Sequence, residues 1–176
     1  MISPAECSLL YDLASEVSSG CIVEVGSYHG TSTVALAKGT MAGGKVPVYA
    51  IDPHEQFTGV MGWTFTPKDR IKFLENILRT RVVEIVHLIN LSSEVVVKGW
   101  SEEVGLLWID GDHRYEAVKR DFDCWTPFVS NGSSVALHDS IDPNLGPSRM
   151  VAEAIASNRF RLADQVDLTT VLEKLQ

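Results

Sequence analysis

Acidic and imidazole side chains crowd the ends of two apolar runs. Val104-Gly105-Leu106-Leu107-Trp108-Ile109 is followed at once by Asp110, then Asp112 and His113. Ser134-Val135-Ala136-Leu137 ends in His138-Asp139. Carboxylates brought together without a basic partner repel unless a cation sits between them. Asp110 and Asp139, with His138 as a third donor, make a candidate divalent-metal cluster. Oxygen ligands favour magnesium or manganese, and the imidazole leaves iron, cobalt or zinc open. The plainer alternative is a pair of helix caps with a hydrogen-bonded histidine.

A second chemistry lies earlier, in Cys21-Ile22-Val23-Glu24-Val25-Gly26-Ser27-Tyr28-His29-Gly30-Thr31. This stretch reads as a buried strand ending in an acid, a turn on glycine, and the start of a helix. Gly26 and Gly30 allow a tight turn and leave room for a ligand to approach, and Thr31 is placed to cap the helix from Ser32 to Lys38. The next apolar run, Val48-Tyr49-Ala50-Ile51, ends in Asp52, whose two oxygens suit a ribose diol beside such a turn. A nucleoside site follows, with Glu24, Gly26, Ser27, Gly30, Thr31 and Asp52 as its candidate contacts. The spacing departs from G-x-G-x-x-G, and an acid before the turn suits an ammonium or sulfonium charge better than a diphosphate. Asn90-Leu91-Ser92-Ser93-Glu94 follows another strand. There Ser92 either meets an adenine edge or caps a helix.

These tips need strands to carry them and helices to cover the strands. Ser3-Pro4-Ala5-Glu6 is a capping box with proline in the first turn, opening a helix with Leu9, Leu10, Leu13 and Val17 inward. Gly39 to Lys45 reads as a flexible link. Residues 53–66 mix glycines with aromatics and show no period, which suggests either a flap over the substrate or an ordered surface loop. Thr66-Pro67-Lys68-Asp69 starts a helix with Ile71, Leu74 and Leu78 inward, and Val82 to Leu88 reads as a third strand. Tyr115, Val118, Phe122 and Trp125 form the buried stripe of the helix after Asp110, which puts Asp112 or His113 at its N-terminus. Asn131-Gly132 turns into the fifth strand. Pro147 to Ser157 is a helix with Met150, Val151, Ala154 and Ile155 inward, and Phe160 to Val166 with Leu168 to Leu175 closes the chain as an antiparallel hairpin. In a parallel doubly wound sheet the first, fourth and fifth strands are near neighbours, so Asp110 and His138-Asp139 converge.

A chain of 176 residues with 45% apolar composition reads as one domain, 1–176, able to bury a sheet core. Its net charge of −8 argues against nucleic-acid and anionic-membrane partners. No apolar run is long enough to span a bilayer, and Met1-Ile2-Ser3-Pro4 begins no signal peptide. Cys7, Cys21 and Cys124 are odd in number and widely spaced, as expected of free thiols in a reducing, cytoplasmic setting.

Taken in order, I-V-E-V-G-S-Y-H-G-T-S, Y-A-I-D, W-I-D-G-D-H-R-Y-E-A-V-K-R-D and S-V-A-L-H-D resemble one family. It is the class I S-adenosylmethionine (SAM)-dependent methyltransferases grouped with macrocin-type and novobiocin-type sugar O-methyltransferases and cephalosporin hydroxylase-like proteins. The resemblance covers about residues 20 to 140. It implies an α/β fold with a Rossmann-like doubly wound seven-strand sheet, mostly parallel with a C-terminal antiparallel hairpin. It also implies SAM as methyl donor, often with magnesium, and the metal ligands Asp110, His138 and Asp139. His138 stands where an acid is common. The resemblance puts the catalytic base at His113 or Asp112, with the imidazole better matched to neutral pH. Glu24 and Gly26 would hold the amino-acid end of SAM and Asp52 its ribose. The expected activity is O-methylation of a small hydroxylated molecule, a sugar among the candidates. The pocket is then either open or completed by the flap or by a second subunit of a homo-oligomer. A non-catalytic SAM-binding protein and a nicotinamide oxidoreductase are the alternatives.

Overall fold

Seven strands form one sheet in the order β5-β2-β1-β6-β7-β9-β8, described over residues 1–176 by a computed structural model. In chain order they are β1 (Cys21–Val25), β2 (Val48–Ile51), β5 (Val86–Ile89), β6 (Val104–Ile109), β7 (Val129–Leu137), β8 (Phe160–Val166) and β9 (Thr169–Lys174). The first five run parallel, and β9 is antiparallel to both β7 and β8. The order in which strands are added reverses between β1 and β6, so their carboxyl ends form the switch point at which open α/β sheets bind ligands.

Alternation along the strands sorts the core into two layers. Ile22, Leu106 and Trp108 face α1 (Pro4–Glu16), α2 (Thr31–Ala42) and α3 (Asp69–Thr80) on one side. Val23, Val25, Leu107 and Ile109 pack on the other with Phe122 and Trp125 of α5 (Tyr115–Trp125) and Met150 and Ala154 of α6 (Gly146–Ala156). Every residue of β1 is buried, as befits a central strand covered on both faces. The capping box forms as expected: Ser3 Oγ accepts from the Glu6 amide and the Glu6 carboxylate from the Ser3 amide.

Several boundaries and faces differ from the sequence reading. Thr31 does not cap α2. Gly30 holds the N-cap position in the left-handed region (φ +83°), and the helix continues through Gly39 to Ala42, shortening the link. In α3 the buried residues are Asp69, Phe73 and Ile77, while Ile71, Leu74 and Leu78 lie outside. Two apolar stripes interleave on this helix, and the one carrying the bulky Phe73 ring wins the core. The third strand is shorter than expected, because Arg81 closes α3 in the left-handed region and Val82 to Ile85 forms a turn. The crossover after β5 is one helical turn, α4 (Ser93–Val96), followed by a tighter turn over Val97–Gly99. Asn131-Gly132 lies inside β7 rather than before it. Ile155 faces out of α6. Residues 57–65 form a small hairpin of β3 (Phe57–Thr58) and β4 (Thr64–Phe65), its aromatic rings stacked at 5.4 Å. No helix is long and apolar enough to cross a membrane.

Candidate active site

The turn after β1 is built by its neighbours. Gly26 takes φ +86°, and a Cβ there would lie 2.3 Å from the Asp110 carbonyl oxygen. Its lack of a side chain lets the ends of β1 and β6 touch. A Cβ on Gly30 would meet the Phe73 ring at 2.9 Å. The sequence reading gave both glycines room for a ligand; the structure fills that room with Asp110-Gly111 backbone and with Phe73. Asp52 Oδ2 accepts hydrogen bonds from the Ser27 and Tyr28 amides, and Oδ1 from the His54 amide. The Asp52 carboxylate therefore clamps the turn. His54, buried and at φ +47°, adds a contact from Nε2 to the Tyr28 carbonyl at 2.8 Å. His29 pairs with Asp69 at 2.7 Å, tying the turn to α3.

Glu24 does not stand at the rim. It is wholly buried, and its oxygens accept from the Ser32 and Thr33 hydroxyls at the start of α2. Burial pushes its carboxyl up to about 8, despite the lowering by those two hydroxyls. A direct contact between Glu24 and a ligand at the rim is not what this geometry offers. Ser27 Oγ is buried without a partner, leaving that hydroxyl free. Thr31 is exposed. Ser92 occupies the N-cap of α4 without a side-chain cap bond, so its hydroxyl is also free. Its neighbour Ser93 is engaged, accepting from Trp125 Nε1 at 2.7 Å.

At the ends of β6 and β7 the structure brings together Asp110, His138 and Asp139 and adds His113. One donor atom from each lies within 4.8 Å of all the others. His138 Nδ1 is 3.1 Å from Asp110 Oδ1 and 3.3 Å from Asp139 Oδ2. His113 Nε2 is 3.0 Å from Asp139 Oδ2 and 3.6 Å from Asp110 Oδ1. Burial works to lower the His138 pKa, but Asp110 and Asp139 outweigh it and raise the imidazole to about 10. His113 and His138 together hold the Asp139 carboxyl well below the usual carboxylate range. His138 Nε2, at the other edge of the ring, is buried without a hydrogen-bond partner. Two imidazoles and two carboxylates within 4.8 Å are a donor set that can hold a divalent cation, which would displace the imidazole protons now facing the carboxylates.

Asp112 stands apart from this group. Its carboxylate accepts from the Arg114 amide at 3.1 Å and meets the Arg114 guanidinium at 3.0 Å. Arg114 holds the N-cap of α5, so neither Asp112 nor His113 caps that helix. The Arg114 guanidinium also lies 5.5 Å from the Phe57 ring centroid, which leans the small hairpin toward this rim. Buried Asp121, raised by burial to about 6, lies 3.7 Å from where a Cβ on Gly111 would be. Sequence reasoning passed over it because its helical position reads as a polar gap in an apolar stripe.

Comparison with known proteins agrees with this architecture. Residues 23–140 match a family model described as a methyltransferase domain. The fold is similar to that of an O-methyltransferase from Bacillus cereus in complex with SAH, at 18% identity and TM-score 0.74, covering 99% of this chain and 83% of that one. It is similar to the O-methyltransferase TomG from Streptomyces achromogenes, involved in tomaymycin synthesis and in complex with SAM, at 14% identity and TM-score 0.74, covering 100% and 82%. An rRNA methylase from Streptococcus thermophilus is similar over 100% of this chain and 99% of its own, at 18% identity and TM-score 0.66. With the family model spanning both candidate clusters and the strands that carry them, the chain belongs to the methyltransferase-domain family.

Proposed function

We propose that this chain is a SAM-dependent O-methyltransferase for a small hydroxylated molecule, a sugar among the candidates, assisted by a divalent cation. The observation that carries the reading is the convergence of Asp110, His113, His138 and Asp139 within 4.8 Å at the carboxyl ends of β6 and β7, beside the sheet's switch point. Asp110, His138 and Asp139 would hold the cation. The second imidazole in the cluster shifts its preference from magnesium toward manganese, iron, cobalt or zinc. When bound, SAM supplies an electrophilic methyl group and the cation lowers the pKa of a hydroxyl it contacts.

The chain's own residues do the rest. His113 stands 3.0 Å from Asp139 and is placed to take the proton of a hydroxyl brought to those carboxylates. Asp112, tied to Arg114, orients that guanidinium instead. On the cofactor half, Asp52 and Gly26 shape the turn, and the exposed, free Ser92 hydroxyl offers a polar contact. The hairpin over residues 57–65, whose Phe57 ring lies 5.5 Å from the Arg114 guanidinium, would act as a cover over the bound acceptor. A net charge of −8 supports a small-molecule acceptor over RNA.

Calorimetry with SAM, SAH and NAD, followed by transfer of labelled methyl from SAM to sugars, catechols and an RNA transcript with and without EDTA, tests this reading. Binding of SAM and SAH but not NAD, with EDTA-sensitive methylation of a small hydroxyl compound, is expected. SAM binding with no turnover on any acceptor would favour a non-catalytic binding protein. Methylation of RNA would overturn the acceptor class.

A further inference from the structure

Glu6 does more than cap a helix. It lies in the first turn of α1 and is only 2% exposed, an unusual burial for a glutamate. One carboxylate oxygen, Oε2, accepts from the Ser3 amide at 2.7 Å and completes the capping box. The other, Oε1, accepts from the Leu168 amide at 3.2 Å and from Thr169 Oγ1 at 2.8 Å, across the whole length of the chain. The same Oε1 lies 3.5 Å from His138 Nε2, the far side of the ring from Asp110 and Asp139. His138 is 3% exposed, so water does not compete for that nitrogen.

An imidazole that gives a lone pair to a cation through Nδ1 must carry its proton on Nε2. A carboxylate 3.5 Å from Nε2 in a dry site favours that tautomer through its charge, without a formed hydrogen bond, and so raises the donor strength of Nδ1. We propose that Glu6 is a positioning residue for His138: it holds the proton on Nε2 so that the Nδ1 lone pair faces the cation site between Asp110 and Asp139. This inference rests on the cation reading above. In it, the Leu168 amide and Thr169 hydroxyl keep Glu6 in place, and the first helix and the last hairpin become supports of the site.

Zn²⁺, which is diamagnetic, serves as the probe. Long-range ¹H–¹⁵N spectra of the Zn²⁺-loaded wild type, with His138 assigned by its loss in His138→Gln, should show the proton on Nε2 and Nδ1 bound. Glu6→Gln keeps the side chain's shape but sets an amide against Nε2. Its Zn²⁺ affinity by calorimetry should fall about 10- to 100-fold, with the His138 signals altered. Ser3→Ala, which removes the cap hydroxyl and leaves the Glu6 carboxylate, should lower the melting temperature and leave Zn²⁺ affinity and tautomer unchanged. Wild type carrying its proton on Nδ1, or Glu6→Gln binding Zn²⁺ as wild type does, would overturn the inference alone. Wild type that takes up no Zn²⁺ would overturn the cation reading and this inference with it. Should Glu6→Gln fail to fold, Thr169→Val, which removes the hydroxyl that holds Glu6 Oε1, makes the same comparison: weaker Zn²⁺ binding with altered His138 signals is expected, and wild-type affinity and signals would overturn the inference.

Discussion

His113 Nε2 reaches Asp139 Oδ2 at 3.0 Å, joining the loop after one strand to the tip of the next. The neighbouring Asp112 turns the other way, to Arg114. Two titratable groups adjacent in sequence therefore have different partners.

His113→Ala should lower methyl transfer by about 10²- to 10⁴-fold while SAM affinity stays within a few-fold of wild type. Asp112→Asn should retain most of the rate. Single-turnover assays with labelled SAM check both, and full turnover in His113→Ala would remove the base assignment.

Glu24 gives a pH dependence of stability. Its carboxyl is raised by burial from an ordinary value of 4.5 to about 8. A raised carboxyl keeps its proton in the folded chain while the unfolded chain has lost it. Its contribution is therefore complete below about pH 4.5 and is lost as pH rises through about 8. Within that window stability should fall by up to about 1.4 kcal/mol per pH unit from this group. Glu24→Gln should flatten that part of the profile in denaturant titrations at pH 5, 7 and 9. Equal slopes in the two proteins would contradict the assignment.

The contact between the ends of β1 and β6 depends on Gly26. Gly26→Ala combines a left-handed backbone, which costs about 1–2 kcal/mol, with a Cβ only 2.3 Å from the Asp110 carbonyl oxygen. Gly132→Ala shares the positive φ, at +81°, but meets nothing within 4 Å. Gly132→Ala should cost the strain alone, a fall of about 2–8 °C in Tm. Gly26→Ala should lose clearly more, together with SAM binding. Matching losses would show that the two strand ends do not need to touch.

Trp63, at the tip of the small hairpin, is 68% exposed. Trp63→Ala should leave stability within about 0.5 kcal/mol and raise KM for the acceptor. An unchanged KM would make the hairpin a surface loop rather than a cover.

What could be read from the sequence was local. The apolar runs ending in Asp52, Asp110 and His138-Asp139 gave strand ends, and parallel order brought two of those ends together without further information. What could not be read depends on contacts distant in sequence or on competition between faces. Glu6 looked like a cap because its other partners, Leu168 and Thr169, are 162 and 163 residues away. Ile71, Leu74 and Leu78 formed as good a helical stripe as Phe73 and Ile77, and only the sheet beneath decided between them. Glu24 read as a ligand contact because nothing in one sequence shows that Ser32 and Thr33 turn their hydroxyls back to it.

The central claim is that the ends of β6 and β7 hold a divalent cation beside the cofactor turn. Titration of the purified protein with Mn²⁺, followed by the loss of the free-ion EPR signal, tests it most directly. One tightly bound Mn²⁺ per wild-type chain is expected, with binding abolished in the Asp110→Asn, Asp139→Asn double variant. No bound Mn²⁺ in the wild type, or undiminished binding in the double variant, would contradict the account.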